Sequence, residues 1–163
     1  MSQSSEIEAV VRREAPREAA PPRLNALNGD PAPPELAGDL LQLDTLSEAA
    51  KAHFWELLEP HLGREVGEPQ GRLARRFGEA FGVPPQVLVR LVGGCRLLLR
   101  SAALADVAVE RVASDLEVLC GDHPAVVQQI TGWYREALPR IRSREVIDAM
   151  PDFGAVLEDV RVR

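Results

Sequence analysis

The stretch that decides the fold is Pro84–Leu104, PPQVLVRLVGGCRLLLRSAAL. It reads as one long helix opened by Pro84 and Pro85, where a missing N–H costs nothing. At about 100° per residue, Gln86, Arg90, Gly93, Arg96 and Arg100 share one narrow stripe, interrupted by Val89 and Leu97. Val87, Leu88, Leu91, Val92, Cys95, Leu98 and Leu99 cover the rest of the circumference. A helix apolar nearly all round must be surrounded, so it is expected to be the hub of a bundle. The adjacent Gly93 and Gly94 each cost a helix interior about 1 kcal/mol, which implies close approach by another backbone.

Working outward, the sequence predicts a helix over Glu35–Leu43 carrying Leu36, Leu40, Leu41 and Leu43. A second runs from a Thr45–Glu48 capping box to about Leu62, with Ala50, Phe54, Leu57, Leu58 and Leu62 on one face. Trp55 lies beside that face, and Pro60 is expected to kink or fray its last turn. Gly63–Gly71 reads as a loop. A third helix, Arg72–Phe81, ends at Gly82, a residue suited to a left-handed C′ position. Beyond the hub, Asp106 is expected to cap a helix with Val109, Val112, Ala113, Leu116, Leu119 and Cys120 in a stripe. Asp122 should cap another, with Val127, Ile130, Tyr134 and Leu138 inward and Trp133 beside them. Pro139 should break or bend it, leaving a short helix over Ser143–Met150.

The expected fold class is therefore all-α: a compact bundle of about six helices over residues 34–150. Residues 1–33, broken by Pro16, Pro21, Pro22, Pro31 and Pro33, read as a disordered leader, although Leu24 and Leu27 are able to dock. Residues 151–163 read as a C-terminal strand or tail, because Val160, Arg161, Val162 and Arg163 alternate with the period of a strand.

Composition narrows the function classes. The chain has 163 residues, 45% hydrophobic but only 4% aromatic, so its core must be built from Leu, Val and Ala. A net charge of −6 argues against nucleic acid as the main partner. Positive charge gathers mid-chain, where Arg64, Arg72, Arg75, Arg76, Arg90, Arg96 and Arg100 outnumber Glu65, Glu68 and Glu79. The N-terminus is too charged for a signal peptide, and arginines interrupt the one apolar run long enough to suggest a membrane span. With two cysteines, Cys95 and Cys120, both on apolar faces, a reducing, cytoplasmic compartment is expected. The preference for arginine over lysine, of which Lys51 is the single example, suggests a GC-rich bacterial genome.

No catalytic motif is evident and no cofactor or metal is implied. Cys120, Asp122 and His123 invite a thiol–imidazole reading, but one helix end and the next helix cap explain the cluster without chemistry. His53 and His61 stand eight residues apart on a helix, two turns and about 80° from each other, too far to chelate one ion. Residues 72–92 have the outline of a helix-turn-helix, the alternative reading as a DNA-binding regulator. Its second helix, however, offers only Gln86 and Arg90 among Val87, Leu88, Val89, Leu91 and Val92.

LARRFGEAFGVPPQVLVRLVGGCRLLLRSAAL and SDLEVLCGDHPAVVQQITGWYREALPRI together resemble the amino-terminal helical half of COMM-domain (COMMD) proteins. There a short helix ends in a glycine turn, a long apolar helix comes next, and a later helix carries a tryptophan. DFGAVLEDVRVR is similar to the entry into that family's carboxy-terminal domain, an L-x-D-x-x-W-x-V strand. Leu157, Asp159 and Val162 match in part, and the strand tryptophan is absent. The resemblance spans roughly residues 35–163 and implies a non-enzymatic adaptor or scaffold subunit. The expected partner is accordingly a protein, met as a homo- or hetero-oligomer through the C-terminal strand, with no membrane involved. Gln86, Arg90, Arg96, Arg100, Val160 and Val162 are the expected contact residues.

Overall fold

In this computed structural model the structure describes residues 19–63 and 65–149, with side chains as far as Ile147. Within them the fold is an all-helical bundle of six α-helices: α1 Leu36–Leu41, α2 Glu48–His61, α3 Glu68–Phe81, α4 Pro85–Leu104, α5 Val109–Cys120 and α6 Pro124–Ala149. The strand expected at residues 151–163 lies outside the described residues. None of the described helices is long and apolar enough to cross a membrane.

The hub helix behaves as its circumference requires. α4 touches α1, α2, α3 and α6, together with short 3-10 turns at Asn25–Leu27 and Gln42–Thr45. Leu88, Leu91, Val92, Cys95, Leu98 and Leu99 are all buried. The glycine pair divides its work. A Cβ on Gly94 would stand 3.0 Å from Asp39 Cβ and 3.5 Å from Leu40 Cδ2, so α1 lies directly over it. A Cβ on Gly93 would meet nothing within 4 Å.

Several element ends differ from expectation for local reasons. Ser47, in extended backbone, caps α2 by accepting from Ala50 N at 3.2 Å. Thr45 is instead held in the preceding 3-10 turn, donating to Gln42 O at 2.7 Å. α3 begins earlier than Arg72, because Gly67 N donates to Gln70 Oε1 at 3.0 Å and Pro69 suits the first turn. It ends at Gly82, left-handed with φ +64°, as the sequence indicates. Asp106 also adopts positive φ (+56°), and its carboxylate pairs with Arg142 rather than capping α5. α6 runs unbroken through Pro139. The one backbone bond lost there falls on the side of Arg135 and Pro139, both exposed, where water can satisfy the carbonyl.

The segment expected as a leader is, from Pro22 onward, part of the body. Leu24 N donates to Asp30 O and Ala32 N to Pro22 O, closing a clasp whose reversal uses Asn28 and Gly29 at positive φ. Leu24 and Ala26 are fully buried against α4 and α5. The clasp is pinned by Asp115 of α5, itself 4% exposed, which accepts from Ala26 N at 2.7 Å and Asn25 Nδ2 at 2.8 Å. Buried carboxylates survive only when so paired, and this one also satisfies amides at the N-terminal end of the 3-10 turn.

Replacing Asp115 by Ala orphans Ala26 N–H inside the core and should cost about 3 kcal/mol in urea unfolding. Amide exchange should accelerate first over residues 24–32; uniform acceleration would mean that the clasp is not a separate unit. The glycine pair should respond with opposite signs. Gly93→Ala should stabilise by up to ~1 kcal/mol through helix propensity, whereas Gly94→Ala should destabilise because Asp39 must move.

Candidate functional site

α3 and α4 are joined by a tight turn at Gly82, and residues of both line an open groove of about 700 Å3. Gly71, Ala74, Arg75, Gly78 and Glu79 line its α3 wall. These positions recur at three and four residues on one helical face, with small side chains at Gly71, Ala74 and Gly78 and long charged ones at Arg75 and Glu79. The α4 wall carries Pro85, Leu88, Val89, Val92, Gly93 and Arg96 at the same spacing. Val89 is 73% exposed and Val66, at the α3 entrance, 48% exposed, so the groove shows bare apolar surface to solvent.

His61 closes the end nearest α2. It is only 6% exposed, and its Nδ1–H donates to Leu57 O at 2.8 Å. That bond assigns the proton to Nδ1 and leaves Nε2 as an acceptor. Nε2 has no hydrogen-bond partner among the described residues and is not sealed from solvent. His61 thus adds a buried imidazole to a lining that also carries Arg75, Glu79 and Arg96. In the sequence His61 reads as an ordinary solvated or half-buried histidine, since its burial depends on the α2–α4 contact.

Arg96 and Arg100 are committed to the end of α2. Arg96 donates from Nε to His61 O (2.8 Å) and from Nη2 to Gly63 O (3.1 Å). Arg100 donates from Nη1 to Leu62 O (3.1 Å) and pairs with Glu145 of α6. Two guanidinium groups therefore satisfy the carbonyls that a helix C-terminus leaves open, and place positive charge at its negative pole. Arg90 Nε donates to Asp39 Oδ1 at 2.7 Å, tying α4 to α1. Gln86 is exposed at the start of α4, beside the groove. Of the arginine stripe, Arg96 reaches the groove, Arg90 and Arg100 hold neighbouring helices, and Val160 and Val162 lie outside the described residues.

The other candidates are placed in the packing. Cys120 is buried, its thiol pushed up from the ordinary 9.0 to about 11 by burial and the nearby Asp44 charge. Cys95 is raised further, by complete burial and by Cys120. His123 does not serve the thiol; its Nδ1 meets Asp44 Oδ2 at 2.5 Å. His53 pairs with Glu56 and stacks on Phe81. Trp133 packs tilted on Phe54 and stacks with Trp55, rings 6.4 Å apart, as part of the α2–α6 contact. Among the described residues no three His, Cys, Asp or Glu side chains gather as a metal-binding group. α3 and α4 do form a helix-turn-helix outline. Arg72, Arg75 and Arg76 are all exposed, but on its first helix.

No protein-family model, curated protein or solved structure matches the chain.

Arg96→Ala should lower stability by about 2 kcal/mol, because two carbonyls at the α2 terminus lose a charged donor. Arg96→Lys should recover less than half of that, since an ammonium cannot reproduce the two-pronged fork. Thermal unfolding of the two variants, with amide exchange near residue 63, checks both statements.

Proposed function

We propose that this protein is a non-catalytic protein-interaction module, an adaptor or scaffold subunit, and that the α3–α4 groove receives one face of a helical segment from a protein partner. The observation that carries this reading is the groove itself: open, largely apolar, and with small residues at Gly71, Ala74, Gly78 and Gly93 where another helix backbone would approach. A helix lying there would complete a three-helix packing unit, covering Val89 and Val66 and meeting His61 Nε2 at one end. Peptide helices dock in such grooves through anchors at i, i+3, i+4 and i+7, with affinity concentrated in a few buried side chains. Gln86 on the α4 side and Arg75 on the α3 side are positioned as rim contacts, which set orientation and encounter rate more than affinity. The COMM-domain resemblance points to the same class of activity, subunits that assemble rather than catalyse.

The test begins with affinity purification of the full chain from its native source and mass determination of the intact assembly. The recovered partner should protect amides of residues 66–79 and 85–96 in hydrogen exchange. Val89→Asp puts a carboxylate where an apolar anchor is buried and should weaken binding about 100-fold, with helical content unchanged. Val118→Asp, on the exposed outer face of α5, should leave binding intact. A partner indifferent to Val89→Asp, or protecting a different face, would overturn the assignment of this groove.

A further inference from the structure

We propose that in the unliganded protein the α3–α4 groove is filled in cis by residues 152–160 of this same chain, so that a partner helix displaces a tethered competitor. The inference rests on the interaction reading and names the regulation of that site. It begins with where α6 delivers the chain. Glu145 and Ile147 share a small cleft with Leu62, Gly63 and Arg100. Arg100 bonds both Leu62 O and Glu145, and one turn earlier on α4 Arg96 bonds the carbonyls of His61 and Gly63. Since His61 and Arg96 also line the groove, the described part of α6 ends beside the His61 end of the groove.

The residues that come after α6 fit the site. Phe153, Val156, Leu157 and Val160 stand at i, i+3, i+4 and i+7, within an arc of about 100° on a helix. Pro151 and Asp152 ahead of them are the residue types a first helical turn prefers. Gly154 and Ala155 keep the intervening surface small. The strand-like alternation starts only at Val160, so the two periods meet there rather than compete over the whole stretch. Eight helical residues span ~12 Å, and the α4 wall from Pro85 to Arg96 offers ~16 Å. Asp159 flanks the apolar arc while Glu158 faces away from it, and the α3 rim supplies Arg72 and Arg75, exposed and without an ion-pair partner among the described residues.

The tether makes modest affinity sufficient. A short connection gives an effective concentration on the order of 1 mM, so a segment whose free peptide binds at ~100 µM would occupy the groove about nine-tenths of the time. Any competing helix would then bind about ten-fold more weakly than to the vacant groove.

A full-length variant carrying Val89→Cys and Leu157→Cys tests the contact, with the native Cys95 and Cys120 both buried. Mild oxidation should close an intramolecular disulfide several-fold faster than in a control pairing Leu157→Cys with Val118→Cys. A rate equal to the control overturns the proposal, and so does a disulfide between two chains, which would make the occupant a second copy. A synthetic peptide of residues 150–163 supplies the second measurement. It should bind full-length Leu157→Asp/Val160→Asp protein about ten-fold more tightly than wild type; equal affinity overturns the competition. If both tests fail while Val89→Asp still abolishes partner binding, the inference falls and the interaction reading stands. If both succeed and the partner ignores Val89→Asp, the cis contact stands, but the interaction reading falls and with it the displacement by a partner helix.

Discussion

The constraint on which this structure depends is the coverage of α4. A helix with apolar side chains over most of its circumference is unstable in water until each sector is occupied, and the remaining elements supply the occupants in turn. α1 lies over Gly94, the clasp at residues 22–32 fills beside it, α6 takes a further face, and α2 and α3 close the rest. Burial of Leu88, Leu91, Leu98 and Leu99 alone is worth several kcal/mol by area, although only the excess over chain entropy appears as stability. One sector is left incompletely covered, the strip carrying Val89 and Gly93. The groove is therefore a gap in the same coverage that makes the fold.

The arginines on α4 obey that geometry. A helix packed on all sides has few places for charge, so its polar positions must fall where a neighbour presents something to bind. The α2 C-terminus presents three successive carbonyls, at His61, Leu62 and Gly63, which Arg96 and Arg100 satisfy. Pro60 sits just ahead of them, and the fixed guanidinium groups hold the chain where it leaves the helix. A stripe that resembles a binding surface in sequence is, over half its length, an internal clamp. Sequence periodicity locates such a stripe but cannot say whether a partner or the chain's own carbonyls receive it.

Most of the bundle is legible in the sequence because its signals are local. Apolar spacing marks α2 to α6, and Gly82 marks the α3 terminus through a backbone preference that needs no tertiary context. The departures share a cause as well. The clasp is hidden because Leu24 and Ala26 are few and lie among prolines, and because their anchor, Asp115, is some ninety residues away on a helix that pattern alone reads as having a polar face. Pro139 signals a break or a bend, and α6 runs through it without a break because the lost backbone bond falls on a solvated side. The groove itself leaves a trace in the glycines and alanine at 71, 74 and 78, but only the pairing of α3 with α4 turns a run of small residues into a concave surface.

Gly93 and Gly94 differ in what each faces. A glycine inside a helix is expected to be tolerated for a packing reason, and its neighbour Gly94 has one in Asp39 and Leu40. Gly93 has none within the described fold, yet costs about as much helix propensity. Val89, one turn away, shows a similar mismatch, a β-branched apolar side chain held in water where a polar residue would serve α4 better. Two local departures from the stable choice, four residues apart and on one groove, would both be accounted for by the occupant proposed for it. A larger residue at position 93 would stabilise α4 and fill the space an incoming helix needs. Under the docking proposal, stability and occupancy therefore pull in opposite directions at this position.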